Sequence, residues 1–216
     1  MLMNNYFDKI FCINLDRRTD RWDKVSKIFE KNNLIVERHS AFDGKKELTL
    51  PYPSSAELAG TISHRDVILK AKELGLKNVL VFEDDVETVD DINNIFNNIK
   101  NFIPKNWDMI YFGGNHVGGL IQENEYFFRC LRTYALHMYV VNEKCYDLLI
   151  KYLTDKIDWV LSGRQSLKPS VAADYFVGDL HQITNTYVVK PHLAWQSEGY
   201  SDIQESIMNY DFLKNK

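Results

Sequence analysis

Asn78-Val79-Leu80-Val81-Phe82-Glu83-Asp84-Asp85-Val86 runs from a block of apolar residues directly into three consecutive carboxylates. A short apolar run with β-branched and aromatic members predicts a buried central strand. Two like charges about 4 Å apart repel by roughly 1 kcal/mol in water, and by several times that near a protein interior. A divalent cation with oxygen ligands would offset this repulsion. Alternation along an extended chain puts Glu83 and Asp85 on one side and Asp84 on the other. The alternative is a solvated acidic turn.

Strands and helices alternate around this segment in the N-terminal half. The predicted strands are 9–15, 35–39, 78–86 and 109–112, and the predicted helices are 19–32, 55–74 and 91–102. Thr19 or Asp20 is expected to cap the first helix and Asp90 or Asp91 the third, while Gly75 ends the second. This order predicts an α/β fold whose mostly parallel sheet carries helices on both faces. Ligands bind at the carboxyl ends of such strands, which would bring 16–21, 83–85 and 113–114 to one edge.

The C-terminal half has a less regular pattern. Segments 127–131 and 135–141 are predicted to form antiparallel strands, and Asn142 is expected to cap the helix that follows. A mixed loop, 154–170, is predicted to be a mobile lid. A short helix over 172–180 and a strand over 187–189 follow, and 206–216 is expected to be peripheral.

Composition limits the function classes. A chain of 216 residues with 45% hydrophobic residues predicts one globular domain. The net charge of −4, without a basic tail, argues against nucleic acid as the main partner. Three cysteines without metal-type spacing, and no secretory leader, favour reduced thiols in a cytoplasmic protein. No segment approaches the roughly 20 apolar residues that span a bilayer.

Three arginines, Arg17, Arg18 and Arg21, lie at the start of the first predicted helix. Cations there oppose the helix dipole, whereas anions are favoured. The arginines are therefore expected to hold an anion such as a diphosphate. The alternative is a surface turn in which Asp16 and Asp20 pair with them. Together with the acidic strand end, they indicate a metal-assisted displacement of a diphosphate leaving group.

Three motifs in this order resemble glycosyltransferase family 25. This family includes bacterial lipooligosaccharide galactosyltransferases and the galactosyltransferase domains of collagen-modifying enzymes. The motifs are Ile13-Asn14-Leu15-Asp16-Arg17-Arg18-Thr19-Asp20-Arg21, Glu57-Leu58-Ala59-Gly60-Thr61-Ile62-Ser63-His64 and Val79-Leu80-Val81-Phe82-Glu83-Asp84-Asp85-Val86. Pro191, Gln196-Ser197 and Ser201-Asp202-Ile203 resemble the family's C-terminal end, so the similarity extends over about 10–203.

The resemblance implies a GT-A-like nucleotide-binding fold and an inverting hexosyltransferase. The donor would be a UDP-sugar, most often UDP-galactose, the cofactor Mn²⁺ or Mg²⁺, and the acceptor a saccharide or another hydroxyl-bearing molecule. Residues 1–114 would form the nucleotide-sugar half and 115–205 the acceptor half of one domain. The resemblance further implies glycan or lipopolysaccharide biosynthesis in the cytoplasm. Peripheral membrane association is compatible with this role.

The resemblance also implies roles for individual residues. Asp85 would bind the metal, with Asp84 as alternate ligand and His192 as third ligand, His181 being the reserve choice. Glu83 would lie near the nucleotide. The nucleotide pocket would be lined by Asn14, Leu15, Arg17, Arg18 and Arg21, with Ser63 and His64 close by.

A catalytic base and the donor-sugar contacts complete the predicted site. Inversion needs a base for the acceptor hydroxyl proton, for which Asp174 is the first candidate and Asp179 the second. The alternative for Asp174 is a helix cap. Gly113 and Gly114 would let the backbone approach the donor sugar, and Trp195 and Tyr200 are candidates for stacking on a sugar.

Two other functions fit the same residues. One is a metal-dependent nucleotidyltransferase or phosphohydrolase on a similar scaffold, for which nucleoside triphosphates would be substrates. The other is an inactive module that binds a sugar nucleotide or a glycan without turnover.

Overall fold

A computed structural model describes residues 3–50, 54–163, 170–203, 205–210 and 214. The strands within these residues are β1 (Lys9–Asn14), β2 (Glu37–Ser40), β3 (Asn78–Glu83), β4 (Val86–Thr88), β5 (Met109–Tyr111), β6 (Asn115–His116), β7 (Leu120–Gln122), β8 (Phe127–Cys130), β9 (Thr133–Tyr134), β10 (Met138–Asn142), β11 (Thr186–Val189), β12 (Ala194–Gln196), β13 (Gly199–Ser201) and β14 (Ser206–Met208). The helices are α1 (Thr19–Lys31), α2 (Gly44–Glu47), α3 (Ser54–Glu73), α4 (Ile92–Ile99), α5 (Glu143–Leu161) and α6 (Ala173–Leu180), with short 3-10 turns at Met3–Asn5 and Lys100–Phe102.

One eight-stranded sheet organises the molecule, in the order β2-β1-β3-β10-β5-β11-β8-β7. β1 pairs in parallel with β2 and β3, and β5 pairs in parallel with β11. β10 is antiparallel to both of its neighbours, and β8 to both of its own. The other six strands therefore run the same way, and the carboxyl ends of β1, β3 and β5 meet at one edge. The predicted α/β class is confirmed, with a mixed sheet.

Alternating side chains of the central strands bury both faces of the sheet. On β3, Val79 and Val81 pack into a cluster that includes residues of α3, α5 and α6. Leu80 and Phe82 pack into a second cluster, with residues of α1 and α4. Burial on both faces explains why this strand is continuously apolar rather than alternating in polarity.

The predicted cap of α1 is wrong, whereas the cap of α4 is at a predicted residue, Asp91, but makes no side-chain bond. α1 has Arg18 at its N-cap without a side-chain cap bond, because the carboxylate of Asp20 binds the Arg18 guanidinium instead. Asp91 precedes α4 with a positive φ of 57° and makes no side-chain cap bond. Asn142 does cap α5, since its side chain accepts from the Lys144 amide.

The predicted lid over 154–170 is wrong for its first half. α5 continues to Leu161, because Leu153, Ile157 and Val160 extend its apolar face into the core. Residues 164–169 lie outside the described residues.

Each of the two strands predicted between 127 and 141 is antiparallel to its neighbours in the sheet, but the two do not pair with each other. β8 lies between β11 and β7, whereas β10 lies between β3 and β5. None of the described helices is both long and apolar enough for a membrane span.

Candidate active site

A cleft of about 790 Å³ opens at the edge of the sheet where β1 and β3 end. Segments from both halves of the chain line it. They are 13–21 without Asp16 and Thr19, 41–45, parts of 56–64 on α3, 83–85, 134–136, parts of 170–175, 196–203, Met208 and Tyr210, with Lys24 and Asn115.

The acidic end of β3 lies in this cleft. The strand stops at Glu83, and Asp84 and Asp85 form a turn, so the predicted two-sided alternation of the acids does not apply. Asp84 accepts from the Asn14 side-chain amide at 2.6 Å and from Arg21 Nη1 at 2.8 Å. Arg21 Nη1 also lies 3.5 Å from Asp85 Oδ2. Arg21 is thus the counter-ion of two adjacent carboxylates.

Asp85 has an unsatisfied oxygen. Its Oδ1 is buried and has no hydrogen-bond partner among the described residues. Burial, together with the neighbouring charge of Glu83, raises the pKa of Asp85 to about 7. Burial also raises the pKa of Asp84. A buried carboxylate oxygen without a donor is rare in a folded protein and suits a position where a cation binds.

Glu83 is held by a chain of polar contacts that reaches the core. Its Oε1 lies 3.0 Å from His64 Nε2, and His64 Nδ1 lies 2.8 Å from the Tyr139 hydroxyl. Burial favours the neutral acid, but the hydrogen bond and charge of His64 outweigh it, so the pKa of Glu83 is lowered. Ser63 accepts from the Phe42 amide at 2.9 Å and thereby joins α3 to the loop beside the cleft.

Arg17 and Arg18 bind acidic side chains that are distant in sequence. Arg17 donates to Asp43 at 3.2 Å and to Asp202 at 3.0 Å. Arg18 donates to Asp20 at 2.9 Å and also binds Asp202. Asp202 therefore joins the C-terminal part of the chain to Arg17 and Arg18, which together with Arg21 we call the arginine turn. An incoming anion would compete with Asp202 for these arginines.

Asp174 lies at another part of the cleft, in the first turn of α6. Its Oδ2 accepts from the Ala135 amide at 3.0 Å. The N-cap of α6 is Ala172, without a side-chain cap bond, so the alternative of Asp174 as a simple helix cap is wrong. Burial raises the pKa of Asp174, which makes it a stronger proton acceptor than an exposed carboxylate.

A family model agrees with this site. The model described as glycosyltransferase family 25 (LPS biosynthesis protein) matches residues 7–152, more than half of the chain. The chain belongs to glycosyltransferase family 25. The match includes the arginine turn, α3 and the acidic end of β3.

Curated relatives of this family-25 chain include a "Glycosyltransferase 25 family member" of Drosophila pseudoobscura pseudoobscura, 32% identical in a match of length 129 that covers 49% of this chain and 20% of the relative. "Procollagen galactosyltransferase 2" of Homo sapiens is 30% identical in a match of length 129 that covers 50% of this chain and 21% of the relative. This chain thus matches about a fifth of the length of these relatives.

Two solved structures resemble this family-25 chain at TM-scores below 0.5. One is a glycosyltransferase involved in glycosylation of the major capsid of PBCV-1, with a TM-score of 0.49 and 12% identity, over 91% of this chain and 95% of that one. The other is the apo form of GlyE from Streptococcus pneumoniae TIGR4, with a TM-score of 0.47 and 10% identity, over 82% and 44%. The family assignment depends on the sequence match.

Most of the predicted site residues of this family-25 chain line the one cleft. They are Asn14, Leu15, Arg17, Arg18, Arg21, Ser63, His64, Glu83, Asp84, Asp85 and Asp174. Gly113, Gly114, Asp179, His181 and His192 are not among the lining residues.

The two glycines predicted to contact the donor sugar pack against other parts of the protein. A Cβ on Gly113 would lie 1.9 Å from the Ala194 carbonyl oxygen, and one on Gly114 would lie 2.7 Å from Thr133 Cγ2. These glycines admit close approach of other parts of the protein, and their contact with the donor sugar stays a prediction.

The predicted histidine ligands are also placed elsewhere. His192 is buried, and its Nε2 lies 2.7 Å from His116 Nε2. His181 contacts the Tyr111 hydroxyl at 3.1 Å and accepts from the Thr133 amide at 3.1 Å. Within the described ranges, no three His, Cys, Asp or Glu side chains are grouped to hold a metal ion. The predicted set of Asp84, Asp85 and His192 is therefore not assembled.

Asp179, the second candidate base, has a different role. It pairs with Arg132 at 3.0 Å and accepts from the Tyr152 hydroxyl at 2.9 Å, outside the cleft lining.

Sequence reasoning missed the contribution of the chain's C-terminal part. Met208 and Tyr210 line the cleft, although 206–216 was predicted to be peripheral. Burial and the charges of Asp85 and Glu83 raise the pKa of Tyr210. No local sequence pattern marks Tyr210, whereas Asp202 lies in the motif Ser201-Asp202-Ile203. Tyr200 lines the cleft as predicted, but Trp195 does not.

Proposed function

We propose that this family-25 chain transfers a hexose from a UDP-sugar to a hydroxyl of a saccharide acceptor, with galactose as the leading candidate for the hexose. The transfer would invert the configuration at the anomeric carbon and would use a divalent metal. The observation that carries the proposal is one cleft that joins the arginine turn, the unsatisfied oxygen of Asp85 and the partly buried carboxylate of Asp174. The family description, which names LPS biosynthesis, supports a glycan acceptor. The relative called procollagen galactosyltransferase 2 supports galactose.

The acidic turn fits a divalent cation. Asp85 Oδ1 is a hard oxygen ligand that accepts no hydrogen bond from the described part of the chain, and Asp84 is adjacent. Mg²⁺ and Mn²⁺ commonly bind through one or two carboxylates together with substrate phosphates, so a third protein ligand is not required. When bound, the cation would supply charge to stabilise a departing diphosphate.

The arginine turn would hold the donor phosphates. Arg17 and Arg18 already bind a carboxylate, that of Asp202, and phosphate oxygens would exchange with it. Glu83, kept anionic by His64, would accept from hydroxyls of the nucleotide.

Asp174 would act as the base. It would take the proton from the acceptor hydroxyl while that oxygen attacks the anomeric carbon, and the bond from that carbon to the diphosphate would break. The Ala135 amide fixes the carboxylate, and burial brings its pKa closer to neutrality.

The test is a thermal-shift and UDP-release screen of nucleotide sugars with and without Mn²⁺. UDP-galactose with Mn²⁺ should raise the melting temperature by mass action and release UDP in the presence of glycosides. Asp85→Asn should abolish the Mn²⁺-dependent release of UDP. Turnover of nucleoside triphosphates instead would establish the nucleotidyltransferase or phosphohydrolase function, and binding without turnover would establish an inactive module.

A further inference from the structure

Two tyrosine rings stack on each other in the cleft next to the proposed base. Tyr134 ends β9 and Tyr175 lies in α6, and both line the cleft. Their centroids are 6.3 Å apart and their planes differ by 21°. Both rings are only partly buried. The stacked pair therefore contributes aromatic surface to one part of the site.

Arg132 fixes both rings. Its Nε donates to the Tyr134 hydroxyl at 2.8 Å, and its Nη2 donates to the Tyr175 carbonyl oxygen at 3.3 Å. The guanidinium carbon lies 5.4 Å from the Tyr134 centroid and 5.2 Å from that of Tyr175, within cation–π range. Asp179 holds Arg132 at 3.0 Å and accepts from Tyr152. The rings are thus positioned before any ligand binds, which lowers the entropy cost of binding.

The rings are joined to the base through their chain neighbours. Ala135 follows Tyr134, Asp174 precedes Tyr175, and the Ala135 amide donates to the Asp174 carboxylate at 3.0 Å. An acceptor hydroxyl that approaches Asp174 therefore places the rest of its molecule near the two rings. The arginines lie between β1 and α1 and in α1, and the acidic turn follows β3.

We infer that Tyr134 and Tyr175 form the acceptor subsite, and that the acceptor is a neutral saccharide presenting the C–H face of a pyranose ring; this rests on the proposed function. The exposed aromatic surface of this pair matches a flat apolar sugar face, whose hydroxyls remain at its edge. Arg132 pairs with Asp179, so this pair adds no net charge to the subsite beside the carboxylate of Asp174. Arg132 and Asp179 are positioning residues.

The experiment is saturation-transfer-difference NMR with methyl β-galactoside and methyl β-glucoside as probes. Wild-type protein should transfer saturation to the C–H protons of one sugar face. Tyr134→Leu and Tyr175→Leu should each weaken binding about tenfold, a typical loss for one aromatic contact. Tyr134→Phe and Tyr175→Phe keep the ring and should retain binding within about threefold. Tyr126→Leu removes a ring that contacts Phe102 and does not line the cleft, so it controls for general effects.

Each outcome decides the inference. No transfer to either glycoside by wild-type protein overturns it, as does binding that survives both leucine substitutions in protein with a normal unfolding transition. Loss of binding in the phenylalanine variants as well would overturn the stacking role. Saturation transfer to a hydroxyl-bearing peptide added as a third probe, and to neither glycoside, would replace the saccharide by a peptide acceptor. UDP-galactose titrated separately distinguishes the cases, because donor binding without glycoside binding leaves the proposed function standing.

Discussion

Replacing Arg21 should destabilise the fold because it leaves the buried Asp84 and the partly buried Asp85 without their counter-ion. The Arg21 side chain is 20% exposed and lies 2.8 Å from Asp84 and 3.5 Å from Asp85. Removing one partner of a buried ion pair costs roughly 3–5 kcal/mol. Partial exposure puts Arg21→Met near the lower end, about 3 kcal/mol. For a chain of this size that lowers the melting temperature by about 6–12 °C.

The measurement is urea unfolding of wild type, Arg21→Met and the matched control Arg17→Met. Arg17 is 33% exposed and pairs with Asp43 and Asp202, so its loss should cost about 1 kcal/mol or less. Millimolar Mn²⁺ should stabilise Arg21→Met more than wild type, since a cation can replace the missing charge. Equal free energies of unfolding for the two variants would refute the assignment of Arg21 as counter-ion of the acidic turn.

Three further changes test other parts of the account. Asp174→Asn should lower kcat for acceptor-dependent UDP release by about 10²–10⁴, while a UDP-galactose titration still shows binding. An unchanged kcat would exclude Asp174 as the base. Burial lowers the pKa of His181 from 6.5 to about 4, so its contribution to stability is present above pH 6.5 and is lost, by about 3 kcal/mol, as the pH falls toward 4. His181→Gln should flatten this slope in urea unfolding, and an unaltered slope would contradict it. Gly113→Ala should destabilise by more than about 3 kcal/mol, because the Ala194 carbonyl oxygen would lie 1.9 Å from the new carbon. Gly60→Ala, with open space at its Cβ, is the control and should be neutral or slightly stabilising.

The sheet edge was predictable because its signals are local. The apolar run of β3 identified a buried strand, and its three acids marked the end that carries the site. The rule that parallel strands share a carboxyl edge then placed the arginine turn beside them. Asp20 pairs with Arg18, which agrees with the alternative prediction of a surface turn in which acids pair with the arginines.

The remaining contacts could not be predicted because they join residues far apart in sequence. Arg17 and Asp202 are 185 positions apart. Asp16, expected to pair with the arginine turn, instead pairs with Arg38 on the neighbouring strand β2. His192 has a typical metal-ligand side chain, yet tertiary packing places it against His116. Such outcomes are set by tertiary structure, which no single segment records.

The central claim is that the acidic end of β3 binds a cation that assists departure of a nucleotide from its sugar. The most direct measurement is UDP release from UDP-galactose by wild type and Asp85→Asn, with Mn²⁺ and with a chelator. We expect wild-type release that depends on Mn²⁺ and falls to background with the chelator or in Asp85→Asn. Full release by Asp85→Asn in the presence of chelator would contradict the claim.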